Sequence, residues 1–224
     1  MNESEEKWKD LLNGRKAFNW IPFIDFALVA GSMAMGEETE DSDFDIILGC
    51  KKGRMFTARA YTIALFQLMR KRRKSTDSEQ ESKDKFCFNH FVTKDSYTLR
   101  PPYNVYWQKL YQSLVPIYGK EEEVRKFFKA NKWSKRPAYA GREEVVFDSR
   151  WRPQKPNIVR WIMQTILTSP LGDIVEKIFK KYQLERINRK KPQIENSRIY
   201  ADETELELHP DTTRIEEWLK HKQR

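Results

Sequence analysis

Two aspartates, Asp43 and Asp45, stand one residue apart at the head of an apolar run that continues through Ile46, Ile47 and Leu48. Side chains alternate faces along a strand, so both carboxylates project from the same side. Like charges that close repel and raise each other's pKa unless a cation neutralises them, and a rigid pair of carboxylates suits a hard ion such as Mg²⁺. A strand carrying this pair therefore marks a metal site or carries a large electrostatic penalty. The pair is preceded at a spacing of ten residues by Gly31-Ser32, which closes a second apolar run, Phe23 to Ala30. That run has the length of a central strand covered on both faces. Between them, Met33 to Met35 starts a short helix and Gly36 to Ser42 is a polar, acidic loop.

The rest of the chain supplies a core for such a sheet. Of 224 residues, 39% are hydrophobic and 13% aromatic, enough to fill the interior of one large domain or two small ones. Lys and Arg outnumber Asp and Glu by 42 to 33, and a net charge of +9 attracts phosphates, nucleic acid or anionic lipid. Cys50 and Cys87 lie on strand-like segments without a CxxC pairing, as buried thiols in a reducing cytoplasm do. Met1 to Asp10 is polar and acidic, unlike a secretory signal. The most apolar runs, Trp20 to Ala30 and Trp161 to Leu171, fall short of the roughly 20 residues a membrane span needs. The expectation is a soluble cytoplasmic protein.

In chain order, Glu5 to Leu12 has helical spacing and Asn13-Gly14 ends it as a cap does. Arg54 to Arg70 is a long helix that runs into the basic cluster Arg70 to Lys74, and Ser75 to Asp84 is an exposed loop. Lys85 to Thr93 alternates and is a third strand, with Tyr97 to Leu99 a candidate fourth. Arg100-Pro101-Pro102 interrupts both helix and sheet, and helical periodicity follows over Tyr103–Val115, Glu121–Asn131 and Asn157–Leu184, broken at Ser169 to Gly172. Lys132 to Pro156 has no assignable pattern. Arg198 to Leu208 is strand-like, and a short charged helix starts at Asp211, after His209-Pro210. The pattern predicts an α+β chain, a small mixed sheet flanked by helices in residues 1–100 and a mainly helical region over 101–224.

A strand, a Gly-Ser turn, a short helix and a strand bearing Asp-x-Asp is the layout that holds a nucleoside triphosphate against two metal ions. Gly31 lets the backbone approach a phosphate, Ser32 offers its hydroxyl and N–H, and Asp43 and Asp45 hold the metals. Gly31-Ser32-x10-Asp43-Phe44-Asp45 before an apolar strand resembles the signature of the DNA polymerase beta-like nucleotidyltransferase superfamily. Ile21-Pro22-Phe23, Gly53-Arg54, Arg59, Lys85 to Asn89, Pro116 to Gly119, Asn131 and Trp133 look like one of its prokaryotic branches. The resemblance implies a polymerase beta-like catalytic domain in residues 1–100, with the helical region selecting the acceptor. It implies Mg²⁺, or Mn²⁺, as cofactor and transfer of a nucleoside monophosphate from an NTP such as ATP to RNA, protein or a small hydroxyl compound. Members add a third carboxylate from a neighbouring strand, and here Phe86 to Val92 has none. Asn89 fills that position, or Asp95 swings in, or the site binds without efficient catalysis; the last leaves a binding module that holds RNA or a protein partner through its basic surface.

Other features have plainer readings beside the functional ones. Arg54 and Arg59 either contact the nucleotide phosphates or form a solvated helix start. The clusters Arg70 to Lys74 and Arg186, Arg189, Lys190 and Lys191 suit a nucleic-acid footprint or the ordinary charge of helix C-termini. Tyr103, Trp107 and Tyr111 share a helix face and read as core rather than a base-stacking platform. His90 faces away from Asn89 on an alternating strand and reads as core, and Cys87 and His90 point to opposite faces; His209 and His221 carry no pattern. Ile158 to Tyr182 is amphipathic, and a helix packed on the sheet explains it more simply than a membrane surface.

Overall fold

The computed structural model describes residues 3–135, 147–155, 157–190, 197–209 and 212–222. Lys191, Pro210 and Asp211 and the side chain of His221, each named above, lie outside the described residues. The described residues form a mixed α+β structure around one six-stranded sheet. Its strands are β1 (Ile24–Val29), β2 (Phe44–Cys50), β3 (Phe86–Thr93), β4 (Val115–Gly119), β5 (Arg198–Ala201) and β6 (Glu205–His209), in the spatial order β4-β1-β2-β3-β6-β5. Only β2 and β3 run parallel; the other neighbours are antiparallel.

The helices are α1 (Glu3–Gly14), α2 (Gly31–Met35), α3 (Met55–Leu68), α4 (Glu79–Ser82), α5 (Val105–Ser113), α6 (Glu121–Ala130), α7 (Ile158–Thr168), α8 (Pro170–Lys190) and α9 (Thr213–Lys222). β1 sorts into two faces, and a register shift between Ile24 and Phe26 puts Ile24 on the same side as Ala27 and Val29. Ile24, Ala27 and Val29 pack with Leu11 of α1, Met55 and Phe66 of α3 and Leu167 of α7, while Phe26 and Leu28 pack with Trp107 and Tyr111 of α5 and Phe127 of α6. A strand buried on both faces is apolar throughout, and all six β1 residues are buried.

The sheet runs across the boundary expected at Arg100-Pro101-Pro102. β4 pairs with β1 and β6 with β3, so half of the strands come from beyond residue 100. Arg198 at the start of β5 also donates to the carbonyls of Arg100 and Pro101 at 2.8 and 2.6 Å. The segment after residue 100 is therefore not a separate helical half. Tyr97 to Leu99 is no strand; its Tyr97 and Leu99 side chains are buried beneath α6 and the chain is pinned by Asn131. Gly14 does not cap α1 in a left-handed conformation. Its φ is −63°, and a Cβ there would lie 2.4 Å from the Phe86 ring, so the glycine is a gap for an aromatic.

Asn131 shows how a polar side chain closes this core. Its Oδ1 accepts from the Leu99 N–H at 2.9 Å and the Trp133 Nε1 at 3.0 Å, and its Nδ2 donates to the carbonyls of Tyr97 at 2.6 Å and Phe127 at 3.0 Å. Asn131→Ala leaves buried backbone groups unpaired, which is expected to cost roughly 2–4 kcal/mol, read as a lower urea midpoint at unchanged slope. Among the described residues, no helix is long and apolar enough to cross a membrane.

Candidate functional site

The site forms where β1 ends beside the start of β2. Ala30 is extended and donates its N–H to the Asp45 carbonyl at 2.9 Å, and the chain then turns through Gly31 at φ +64°. That φ favours glycine, and space demands it: a Cβ on Gly31 would lie 2.2 Å from Asp45 Oδ2. The Gly31 backbone and the Asp45 carboxylate are thus in direct contact. The Ser32 hydroxyl donates to Ser42 Oγ at 3.2 Å, and Ser42 Oγ accepts from the Thr39 N–H at 2.8 Å, which folds the acidic loop back onto the turn.

Asp43 lies just before β2 and Asp45 within it. Burial, then the charge of Asp43, pushes the Asp45 pKa up to about 7 against the opposing pull of Arg73 and of hydrogen bonds from Cys87 and Asn89. Burial is thus the larger cause, and the like-charge repulsion expected of the pair adds to it. Facing Asp45 in register is Cys87 of β3, and one ligand atom each from Asp43, Asp45 and Cys87 lies within 4.8 Å of the others. Burial, followed by the charges of Asp45 and Asp43, holds the Cys87 thiol protonated, well above its usual pKa.

The third position is more crowded than alternation implies. The β2–β3 register shifts between Asp45 and Ile47, which face Cys87 and His90, so β3 carries an extra residue there. Cys87 and His90 therefore lie on one side of the sheet, not on opposite faces. Asn89 reaches the same site, with Nδ2 donating to Asp45 Oδ1 at 3.1 Å. In this arrangement Asn89 orients the carboxylate through its amide nitrogen. Asp95 does not swing in: it follows the end of β3, where Thr93 pairs with Cys50 at the far end of β2, and it is bound to Lys52 at 2.7 Å.

Arg73 is a site residue that the sequence placed only within a basic cluster. The segment Lys71 to Arg73 hydrogen-bonds with Phe86 at the start of β3, and Arg73 Nη1 reaches Asp43 Oδ2 at 2.7 Å. Burial disfavours its cation, but the charge and hydrogen bond of Asp43, with smaller contributions from its other neighbours, together outweigh it and raise the guanidinium pKa. Arg73 thus supplies part of the positive charge the aspartates demand. Arg73→Gln is expected to lower the metal-free melting temperature and to tighten apparent Mn²⁺ binding about threefold, since a competing ion pair of modest strength is gone. Thermal shifts against Mn²⁺ concentration check both.

Arg54 and Arg59 are not brought to the site. α3 covers the sheet face opposite Asp45, and its first turn meets α8. Arg54 pairs with Asp173 at 2.5 Å, Arg59 donates to Gln183 Oε1 at 2.8 Å and lies over the Phe91 ring, and Glu176 accepts from the N–H groups of Phe56 and Thr57 at 2.9 and 2.8 Å. Burial lowers the Arg59 pKa to about 10. Both arginines fasten α8 to α3.

The strip of buried polar groups beyond β3 had no sequence signal, since its members are spread over Arg100, His90 and residues 198–209. His90 Nε2 is 3.1 Å from Glu205 Oε1, Arg100 Nε donates to Glu205 Oε2 at 2.6 Å, and Arg198 Nε donates to Glu207 Oε1 at 2.6 Å. Glu205 and Glu207 each meet a guanidinium, and Arg100 also pairs with Asp202 at 2.9 Å. His209 links it to the site, with Nε2 3.8 Å from Glu207 Oε1 and Nδ1 3.5 Å from Asn89 Nδ2. Burial and the charges of His90 and Arg198 keep His209 neutral, lowering its pKa to about 3. Trp107 and Tyr111 are core, and Tyr103 is exposed and packs on Trp133.

The two close carboxylates of Asp43 and Asp45 suit a hard divalent cation; the third atom within 4.8 Å, the protonated Cys87 sulfur, is a soft donor that does not add to such a set. Comparison of the chain with protein-family models, curated proteins and solved structures finds no match.

Proposed function

We propose that the protein is a Mg²⁺- or Mn²⁺-dependent nucleotidyltransferase that moves a nucleoside monophosphate from an NTP, ATP being the first to test, to a hydroxyl of an acceptor in the cytoplasm. The α-phosphorus–oxygen bond to pyrophosphate breaks as the bond to the acceptor oxygen forms. The single observation that carries this reading is the contact of Gly31 with Asp45 beside Asp43, which joins a turn able to approach phosphate to two close carboxylates, of which Asp45 has its pKa raised by burial and by the charge of Asp43.

Asp43 and Asp45 would hold the cation, which when bound offsets triphosphate charge and makes the acceptor hydroxyl more acidic. The remaining work falls to the chain itself. Gly31 keeps the backbone low beside the triphosphate, and Ser32 offers a hydroxyl now shared with Ser42. Arg73, adjacent to Asp43, is a guanidinium positioned for phosphate oxygens. Asn89 holds the orientation of the Asp45 carboxylate.

The test is incubation of the full chain with Mg²⁺ or Mn²⁺ and each α-labelled NTP, with RNA, protein and small hydroxyl compounds as acceptors. Label transfer with pyrophosphate release is expected. Absence of label together with absence of nucleotide-dependent thermal stabilisation overturns the reading. Arg73 seated on Asp43, with a thiol and an amide where a third carboxylate belongs, favours a second reading: a module that binds RNA or a protein without turnover. It predicts RNA affinity that falls steeply with salt and is unchanged by Asp45→Asn.

A further inference from the structure

The amphipathic segment Ile158 to Tyr182 is packed on the sheet by only one of its sides. Met163 and Leu167 of α7 and Val175, Phe179 and Ile187 of α8 join the core. On the other side of α7, Ile158, Trp161, Ile162 and Ile166 are 45–67% exposed. The same is true of α8, where Leu171, Ile174, Ile178 and Tyr182 are 55–60% exposed and recur at intervals of three and four residues. α7 and α8 pack on each other, so these stripes belong to neighbouring helices. Packing against the sheet accounts for half of this pattern and leaves the other half without a partner among the described residues.

We propose that the α7–α8 face seats the protein on an anionic lipid surface. Three observations select that occupant. First, the water-facing surface of α7 carries no charged side chain. Its one charged residue, Arg160, is 5% exposed and turned inward, donating to the Tyr118 hydroxyl at 2.5 Å and the Ile24 carbonyl at 2.6 Å. Second, the exposed charged residues of α8 are mostly basic: Lys177, Lys181, Arg186 and Arg189. The exposed acids of α8 are Asp173, bound by Arg54, and Glu185, 4.0 Å from Arg189. An apolar face accompanied by cations complements acyl chains beneath anionic headgroups. Third, Trp161 and Tyr182 place amphipathic rings on the exposed side of each helix, a chemistry suited to the headgroup boundary. A second copy fits less well, because a two-fold contact brings the same basic side chains against themselves. The inference does not depend on what the Asp43–Asp45 site does.

The experiment is co-sedimentation of the full chain with vesicles of phosphatidylcholine alone or with one third phosphatidylglycerol. Binding to the anionic vesicles is expected at least about tenfold tighter than to the neutral ones. Ile162→Glu/Ile178→Glu is expected to lower it about tenfold or more with an unchanged circular-dichroism melt, both positions being solvent-facing. Should that variant melt early, Lys177→Ala/Lys181→Ala supplies the same reading through charge and is expected to weaken binding several-fold. No binding to anionic vesicles at low salt overturns the proposal. So does equal binding to neutral vesicles, undiminished binding by both variants, or a stable dimer in light scattering that Ile162→Glu/Ile178→Glu dissolves.

Discussion

Asp45→Asn is expected to abolish Mg²⁺-dependent label transfer and, at pH 8, to raise the melting temperature of the metal-free protein. The sign follows from the pKa. Asp45 titrates near 7 in the folded chain, against 3.8 for an unperturbed aspartate. Between those values the native state holds a proton that the unfolded state has released. Stability therefore falls as pH rises from about 4 to 7, and the loss is complete above the folded-state pKa. At roughly 1.4 kcal/mol per pKa unit, discounted for coupling to Asp43, the charge costs the metal-free fold about 2–4 kcal/mol. Asparagine removes that cost, and for a chain of this size the gain is roughly 5–10 °C. Below about pH 3 the two proteins should melt together, because Asp45 is then protonated in the folded state and largely so in the unfolded state of the wild type. Added Mn²⁺ at pH 8 should stabilise the wild type and leave the variant unmoved. A variant that melts lower than wild type at pH 8 would refute the electrostatic account.

Gly31→Ala is the second large effect, and Gly36→Ala is its control. Both glycines have left-handed φ values, +64° and +67°, so alanine strains the backbone alike at each, by about 1–2 kcal/mol. Only at Gly31 does the new methyl meet anything: Asp45 Oδ2 at 2.2 Å, against open space around Gly36. The carboxylate must turn away from its place beside Asp43. Gly31→Ala is therefore expected to lose Mn²⁺-dependent stabilisation and label transfer by two orders of magnitude or more, as a displaced catalytic group does. Gly36→Ala should share the loss of stability and keep both functions. Equal metal binding by the two variants would show that the contact with Asp45 is incidental.

The parts of this site that were legible in the sequence are those encoded by near neighbours. β1 and β2 announce themselves as apolar runs punctuated by Gly31 and headed by Asp43 and Asp45. β4 was hidden by Pro116, which argues against a central strand, yet β4 lies at the sheet edge, where a missing N–H is tolerated. The extra residue in β3 defeats alternation, so the shared facing of Cys87 and His90 emerges only from strand register. Arg73 was visible as charge but not as a partner, because its target is 30 residues away. Arg54 and Arg59 look like phosphate ligands by proximity in sequence, but α3 covers the opposite face of the sheet. The exposed apolar stripes were hidden for a related reason: periodicity reports that a helix has an apolar side, not whether a second apolar side is left over.

The order of the strands bears on how the chain acquires its structure. β3 lies between β2 and β6, and β6 follows it by more than 100 residues. During synthesis β3 can pair with β2 as soon as α3 has formed, and its other edge then waits, with unsatisfied amides, for Glu205 to Glu207 to leave the ribosome. His90, level with Glu207 on that edge, meets its carboxylate partners only with the arrival of β6. The last strands to be made are thus the ones that cover the eight-residue edge of β3 and leave the four-residue β5 at the margin of the sheet.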